Sequence, residues 1–176
     1  MIWAAAKLFR RQGYSGTGLR DILAASGAAR GSLYHYFPNG KEEIGAAAVT
    51  AAGGLVTDTF AELAKVADSP TDFLRRYTGL LVRWLEASKF RDGCPITTTL
   101  LETTPGSQPI TAAGQAVFDD WLEVMAELLR RHGWPADRIS GTATAIIAGL
   151  EGALMLARVQ GSAQPIHDTT QALCAL

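Results

Sequence analysis

Thr17-Gly-Leu-Arg-Asp-Ile-Leu-Ala-Ala-Ser-Gly27-Ala-Ala-Arg-Gly-Ser-Leu-Tyr-His-Tyr-Phe37-Pro-Asn-Gly-Lys41 is the stretch on which the fold turns. Leu19, Ile22 and Leu23 recur at helical spacing and mark a short helix over about 18–25. Thr17 stands where a cap belongs, and Asp21 sits in the first turns, where the helix dipole favours an acid. Gly27 ends that helix and supplies the backbone freedom of a tight turn. Ala24, Ala25 and Ala28 are small enough to let the next helix, over about 29–36, approach. Leu33 and Phe37, four apart, turn inward, and Pro38-Asn39-Gly40 stops the chain. Two short helices about such a turn form a helix-turn-helix, whose second helix offers its N-terminal residues to a major groove. The outward set holds a guanidinium, hydroxyls, an imidazole and aromatic rings, and arginine reads guanine edges through two hydrogen bonds.

Outward from this core the chain is helical nearly throughout. Ile2, Ala5, Ala6 and Phe9 mark a preceding helix that Gln12-Gly13 stops. One long helix is expected over 41–66, weakened by Gly45, Gly53 and Gly54. Ser69-Pro70 starts another, with Phe73, Tyr77, Leu80, Leu81 and Trp84 along one stripe. Residues 96–104 are threonine-rich and give no clear reading. Val117, Phe118, Trp121, Met125, Leu128 and Leu129 form a further stripe. A long helix over 136–160 and a weaker one after Pro165 close the chain. No alternating strand pattern of useful length occurs. The expectation is an all-α protein with a helix-turn-helix domain over 1–45 and an all-helical domain over 46–176.

Charge is distributed unevenly. Residues 1–45 carry six basic and three acidic side chains, whereas the whole chain has a net charge of −1. A cationic head on an anionic body suits a protein whose head alone meets a polyanion. Charged residues are 19% of the chain, below the usual ~25%, which points to extra buried surface such as an oligomer interface. Two cysteines, Cys94 and Cys174, cannot build a disulfide framework or a four-cysteine zinc site. No apolar run reaches the ~18 residues of a membrane span, no leader peptide is visible, and a reducing cytoplasm is the expected compartment.

The 17–41 stretch, with Glu42-Glu43-Ile44 after it, resembles the DNA-binding signature of TetR-family transcriptional regulators. Gly-Ser-Leu-Tyr-His-Tyr-Phe over 31–37, followed by Lys41, is the most distinctive part. The resemblance implies three short DNA-binding helices and then a ligand-binding, dimerising helical body. By position it implies phosphate contacts from Thr17, Lys41 and Tyr34, with Arg30, Gly31, Ser32, His35 and Tyr36 facing bases or backbone. Ala29 would let the backbone come close to DNA, and Arg20 would touch the groove edge. The family's second threonine is Gly18 here, which removes one phosphate contact. The chain opens almost inside its first helix, so the basic arm that often precedes it in the family is not seen. Gly40 before Lys41, Gly93-Cys94-Pro95 and Leu150-Glu151-Gly152-Ala153-Leu154 resemble the LmrA/YxaF branch.

The resemblance also implies a repressor that binds a palindromic DNA operator as a homodimer and is released by a small, hydrophobic effector. Candidate effector residues are Tyr77, Leu81, Trp84, Cys94, Thr98, Leu101, Glu102, Phe118, Trp121, Met125 and Met155, since such sites are mostly apolar with a few polar groups. Glu102, if buried, would pair with a cationic ligand or a buried donor; the alternative is a solvated carboxylate. Glycine and alanine in 136–160 fit a closely packed partner helix, so the dimer interface is expected on 110–132 and 136–160, at Leu128, Ile146, Gly149, Leu150, Gly152 and Ala153. No nucleophile elbow, phosphate loop or His-Glu-x-x-His occurs, so no enzyme, cofactor or metal is expected. The alternative class is a helical ligand-binding or scaffold protein without DNA function. Activation instead of repression depends on where an operator lies, which the sequence does not contain.

Overall fold

The computed structural model describes residues 1–176. Nine helices follow in order: α1 Ile2–Gln12, α2 Leu19–Ser26, α3 Arg30–Tyr36, α4 Lys41–Val66, α5 Pro70–Ala87, α6 Pro95–Thr103, α7 Gln108–Arg131, α8 Ala136–Gln160 and α9 Gln164–Leu173. There is no strand. The all-α expectation holds, and the bounds expected for α4 and α8 are those found.

Local chemistry sets the ends. α1 stops at Gly13, at φ 85°, and α2 at Gly27, at φ 66° in the left-handed region. The cap of α2 is Gly18 and not Thr17, and it has no side chain to cap with; Asp21 Oδ2 instead accepts the Gly18 N–H at 2.7 Å. At α5 the Ser69 hydroxyl accepts the Asp72 N–H at 3.1 Å, and Pro70 follows in the first turn. The threonine-rich stretch resolves into α6. Thr99 and Thr103 hydroxyls donate to the Pro95 and Thr99 carbonyls at 2.7 and 2.8 Å, so the polar side chains are satisfied within the helix.

The chain divides into two compact units. The first holds Met1–Leu55 with Cys94–Phe118, and the second Val56–Gly93 with Asp119–Leu176. In the first, α1 packs on α2 and α6, around buried Phe9, Ile22, Leu33, Ile44 and Ile110. The glycines that weaken α4 as a sequence mark close packing. A Cβ at Gly53 would lie 2.2 Å from Val117 Cγ2, and one at Gly45 2.9 Å from Ile110 Cδ1. In the second unit α5, α8 and α9 pack together, and four rings form the centre: Phe60 meets Tyr77, Phe73 and Trp121 at centroid distances of 4.6, 5.5 and 5.8 Å.

α4 and α8 are each long and apolar enough on average to cross a bilayer, at mean hydropathy 1.3 and 1.5. This corrects the expectation that no apolar stretch of the chain is long enough to span a membrane, by length and composition alone. Alanine raises the average, while threonines and glycines interrupt the run. Both helices contribute core residues to this fold, Phe60 from α4 and Ile146 from α8 among them.

Candidate nucleic-acid interface

α3 is seven residues long and only Leu33 on it is buried. Its remaining side chains face outward: Arg30, His35 and Tyr36 are exposed, Tyr34 is 53% exposed and Ser32 is half-buried. His35 and Tyr36 rings meet edge-to-face at 4.8 Å. Arg20 on α2 is exposed, as are Ala29 and Gly31 around the start of α3. A short helix that spends one residue on the core and leaves cation, imidazole and phenols on the surface can present hydrogen-bond donors to base edges and phosphates.

Two residues expected to hold phosphate sit differently. Thr17 has no exposed surface, and its hydroxyl donates to the Gly13 carbonyl at 2.7 Å. The phosphate role expected for its side chain is corrected accordingly: Thr17 closes the α1–α2 turn. Lys41 is half-buried at the start of α4, with Nζ 4.2 Å from the centroid of the Tyr14 ring. Burial pushes its amine down, while the charges of Glu102 and Asp21 push it back up. The Tyr14 phenol is raised by burial, and then by Glu42.

Glu102, a candidate effector residue, is found at this site. Its carboxylate accepts the Tyr14 N–H at 3.1 Å and the Ser15 N–H at 2.7 Å. Glu102 is exposed, not buried as a cation-binding role would need. Hydrogen bonding from the Ser15 side chain, then from the Ser15 and Tyr14 backbone and from the Lys41 charge, holds its carboxyl below the usual range. A second link joins Ser107, before α7, to the first turn of α4: its hydroxyl donates to Glu42 Oε1 at 2.6 Å. The sequence reading missed Tyr14 and Ser15. Gly13 is the one local sign of an unusual turn there.

The other effector candidates scatter. Tyr77, Leu81, Trp121 and Met125 are buried, the first and third within the ring cluster of the second unit. Trp84, Leu101 and Met155 are 49%, 78% and 60% exposed. Cys94 caps α6, its sulfur accepting the Thr97 N–H at 3.5 Å, and Thr98 and Phe118 are half-buried. An open groove of about 440 Å³ lies in the second unit beside Arg75, Thr78, His167, Thr170 and Gln171, and none of the candidates lines it. The dimer candidates need correction too. Leu128, Ile146, Leu150 and Ala153 are buried in the chain's own core. A Cβ at Gly149 would lie 3.3 Å from Leu173 on α9 of the same chain. Of the six, Gly152 alone is half-buried with open space before it.

Comparison with known proteins places this geometry. Residues 2–55 match the DNA-binding domain of bacterial regulatory proteins of the tetR family, and residues 70–172 match the C-terminal domain of LmrA/YxaF-like transcriptional regulators. The uncharacterised HTH-type transcriptional regulator YxaF of Bacillus subtilis is 31% identical, over 94% of this chain and 87% of its own length. The crystal structure of a TetR regulatory protein from Rhodobacter sphaeroides superposes with a TM-score of 0.84 at 28% identity, covering 99% of this chain and 95% of that one. A cysteine mutant of the TetR-family regulator CifR, solved with 26-base-pair double-strand operator DNA, shares the fold at TM-score 0.82 and 20% identity, over 99% and 93% of the two chains. These relatives are transcriptional regulators and not enzymes, and the chain belongs to the TetR family of DNA-binding transcriptional regulators, in its LmrA/YxaF-like branch.

Proposed function

We propose that the protein is a ligand-responsive repressor that binds a palindromic operator as a homodimer and is released by a small hydrophobic effector. Residues 1–45 would bind DNA, and 46–176 would take the effector and the second subunit, with the cytoplasm as the compartment. The observation that carries the reading is α3, where Arg30, Tyr34, His35 and Tyr36 stand exposed beside a single buried leucine. In that arrangement Arg30 reads bases, while Tyr34 and Lys41 hold phosphate.

The homodimer has its own support in α8. Thr144, Ala145, Ala148, Met155, Leu156 and Val159 are all exposed and lie on one side at helical spacing. Small residues toward the middle and large apolar ones toward the C-terminal end form a stripe that a second copy can cover by two-fold symmetry. Leu128, Ile146, Leu150 and Ala153, by contrast, are buried in the chain's own core. The effector reading rests on the match of 70–172 to the LmrA/YxaF-like C-terminal domain.

Selection from random duplex DNA at two salt concentrations tests the reading. The parent protein is expected to enrich an inverted repeat. Arg30→Ala should change the preferred bases at a cost of about 1–3 kcal/mol per half-site. Lys41→Ala should weaken every site alike and reduce the salt slope by about 1. A folded parent that enriches no duplex leaves a ligand-binding helical protein as the better account.

A further inference from the structure

We propose that Glu102 is a positioning residue for DNA binding: from α6, its carboxylate fixes the Gly13–Ser15 turn and, through Tyr14, the ammonium of Lys41. The proposal rests on the operator-binding reading above and adds a residue that lies outside the recognition helix, on α6.

The geometry is that of a seat built for one anion. Tyr14 and Ser15, consecutive in the chain, direct their N–H groups at the two oxygens of one carboxylate, 3.1 Å to Oε1 and 2.7 Å to Oε2. Successive backbone N–H groups of this kind make a concavity that binds negative charge. Gly13 is fitted to the occupant. Its φ is 85°, and a Cβ there would lie 2.4 Å from Glu102 Oε1. On the other side Thr17 ties its hydroxyl to the Gly13 carbonyl at 2.7 Å. The turn is therefore pinned from both ends. The Tyr14 ring leaves this turn and lies under Lys41 Nζ at 4.2 Å.

The consequence is a short chain of contacts from α6 to the cation that heads α4. α6 packs along α1. Any shift of α6 along α1 must carry the turn with it or break two charge-assisted hydrogen bonds, which are about twice as strong as neutral ones. Moving the turn moves the ring on which Lys41 rests. Glu102 thus makes the phosphate-facing lysine dependent on the position of α6.

The test measures affinity and salt slope on the duplex that the parent selects, for Glu102→Ala, Glu102→Gln, Lys41→Ala and the Glu102→Ala/Lys41→Ala double variant. Thermal midpoints and the exchange rates of the Tyr14 and Ser15 amides are followed in each. Glu102→Ala should weaken binding on the order of tenfold, the worth of one strong hydrogen bond, and flatten the salt slope. Glu102→Gln, which keeps one acceptor, should fall between. On the Lys41→Ala background the Glu102→Ala loss should largely vanish. Unchanged or tighter binding by both Glu102 variants would overturn the proposal, since removing a negative charge near DNA favours association by itself. So would losses that simply add to that of Lys41→Ala, or a lower melting temperature with an unmoved salt slope. If Glu102→Ala does not fold, Glu102→Gln carries the same comparison. A parent that selects no DNA sinks the operator reading and this proposal together, whereas a parent that binds while its Glu102 variants bind equally well sinks this proposal alone.

Discussion

The two units of the molecule are held by different means. The unit of Val56–Gly93 and Asp119–Leu176 is organised around large side chains: Phe60, Phe73, Tyr77 and Trp121 share one cluster, with Leu74, Met125, Leu128 and Leu129 also fully buried. The unit of Met1–Leu55 and Cys94–Phe118 has a leaner core and more ties at its turns: Gly13, Gly27 and Gly40 at positive φ, the Thr17–Gly13 bond, and carboxylates of Glu102, Asp21 and Glu43 on backbone N–H groups. The other unit has Gly133, Gly161 and the Asp72 tie to Asp68. A core of rings tolerates no loss of volume but is indifferent to exposed polar groups. A head shaped at its turns can leave most of α3 free for DNA and depends on single hydrogen bonds and single φ angles. Stability and recognition should therefore separate between the two units under mutation.

Phe60→Ala makes the largest test. It empties the centre of the ring cluster, and a buried phenylalanine truncated to alanine costs about 3–5 kcal/mol. Denaturant unfolding should show that loss; a change under about 1 kcal/mol would mean that the rings do not organise their unit. Gly27→Ala comes next. No atom lies within 4 Å of where its Cβ would be, so only the φ of 66° is penalised, at roughly 1–2 kcal/mol. The base preference of the DNA selection should survive in the folded fraction. A loss as large as that of Phe60→Ala would erase the contrast between a packed unit and one shaped at its turns.

The smallest effect is acid-dependent. Glu102 has its carboxyl held low, first by hydrogen bonding from the Ser15 side chain, and Asp72 has its own held low, first by Arg76. In both cases the folded form favours the carboxylate. The tie is complete above the ordinary carboxylate range and is lost as pH falls through the lowered folded value. Amide shifts of Tyr14 and Ser15 should titrate with a midpoint below the ordinary Glu value of about 4.3, and Glu102→Gln should remove that titration. Asp72→Asn should leave those two shifts unmoved, and a response there would mean that the two carboxylates do not titrate independently.

Much of the molecule can be read from neighbours in the chain. The ends of α4 and α8, the Ser69-Pro70 start of α5, the Gly27 turn and the outward set of α3 all follow from residues within a turn or two of where they act. Capping, proline placement and helical spacing are local physics. The resemblance of 17–41 to a DNA-binding signature is local for the same reason, because a recognition helix is a short contiguous piece. Where reading failed, the partner was distant. Glu102 bonds to residues 87 and 88 positions away, and nothing in Leu100-Leu101-Glu102 announces that. Thr17 has the right residue type for a phosphate contact, yet the fold buries it. The small residues of α8 are expected against 110–132 and a second subunit, yet Gly149 lies against α9 and Gly152 has nothing within 4 Å of its Cβ position. Helical spacing alone does not say which side meets which neighbour.

The sequence by itself determined that this is an all-helical protein with a helix-turn-helix head, and which residues α3 can show to DNA. Helix formation, capping and amphipathic spacing depend on contacts within four residues, and those are written in order along the chain. Only the tertiary structure decided that Glu102 bonds to the Tyr14–Ser15 turn, that Thr17 is interior, and that Met155, Leu156 and Val159 are exposed while Leu128 and Ile146 are buried. Burial and long-range hydrogen bonds are properties of which helices lie side by side. That arrangement is settled by the summed packing of all nine, and no single stretch of residues encodes it.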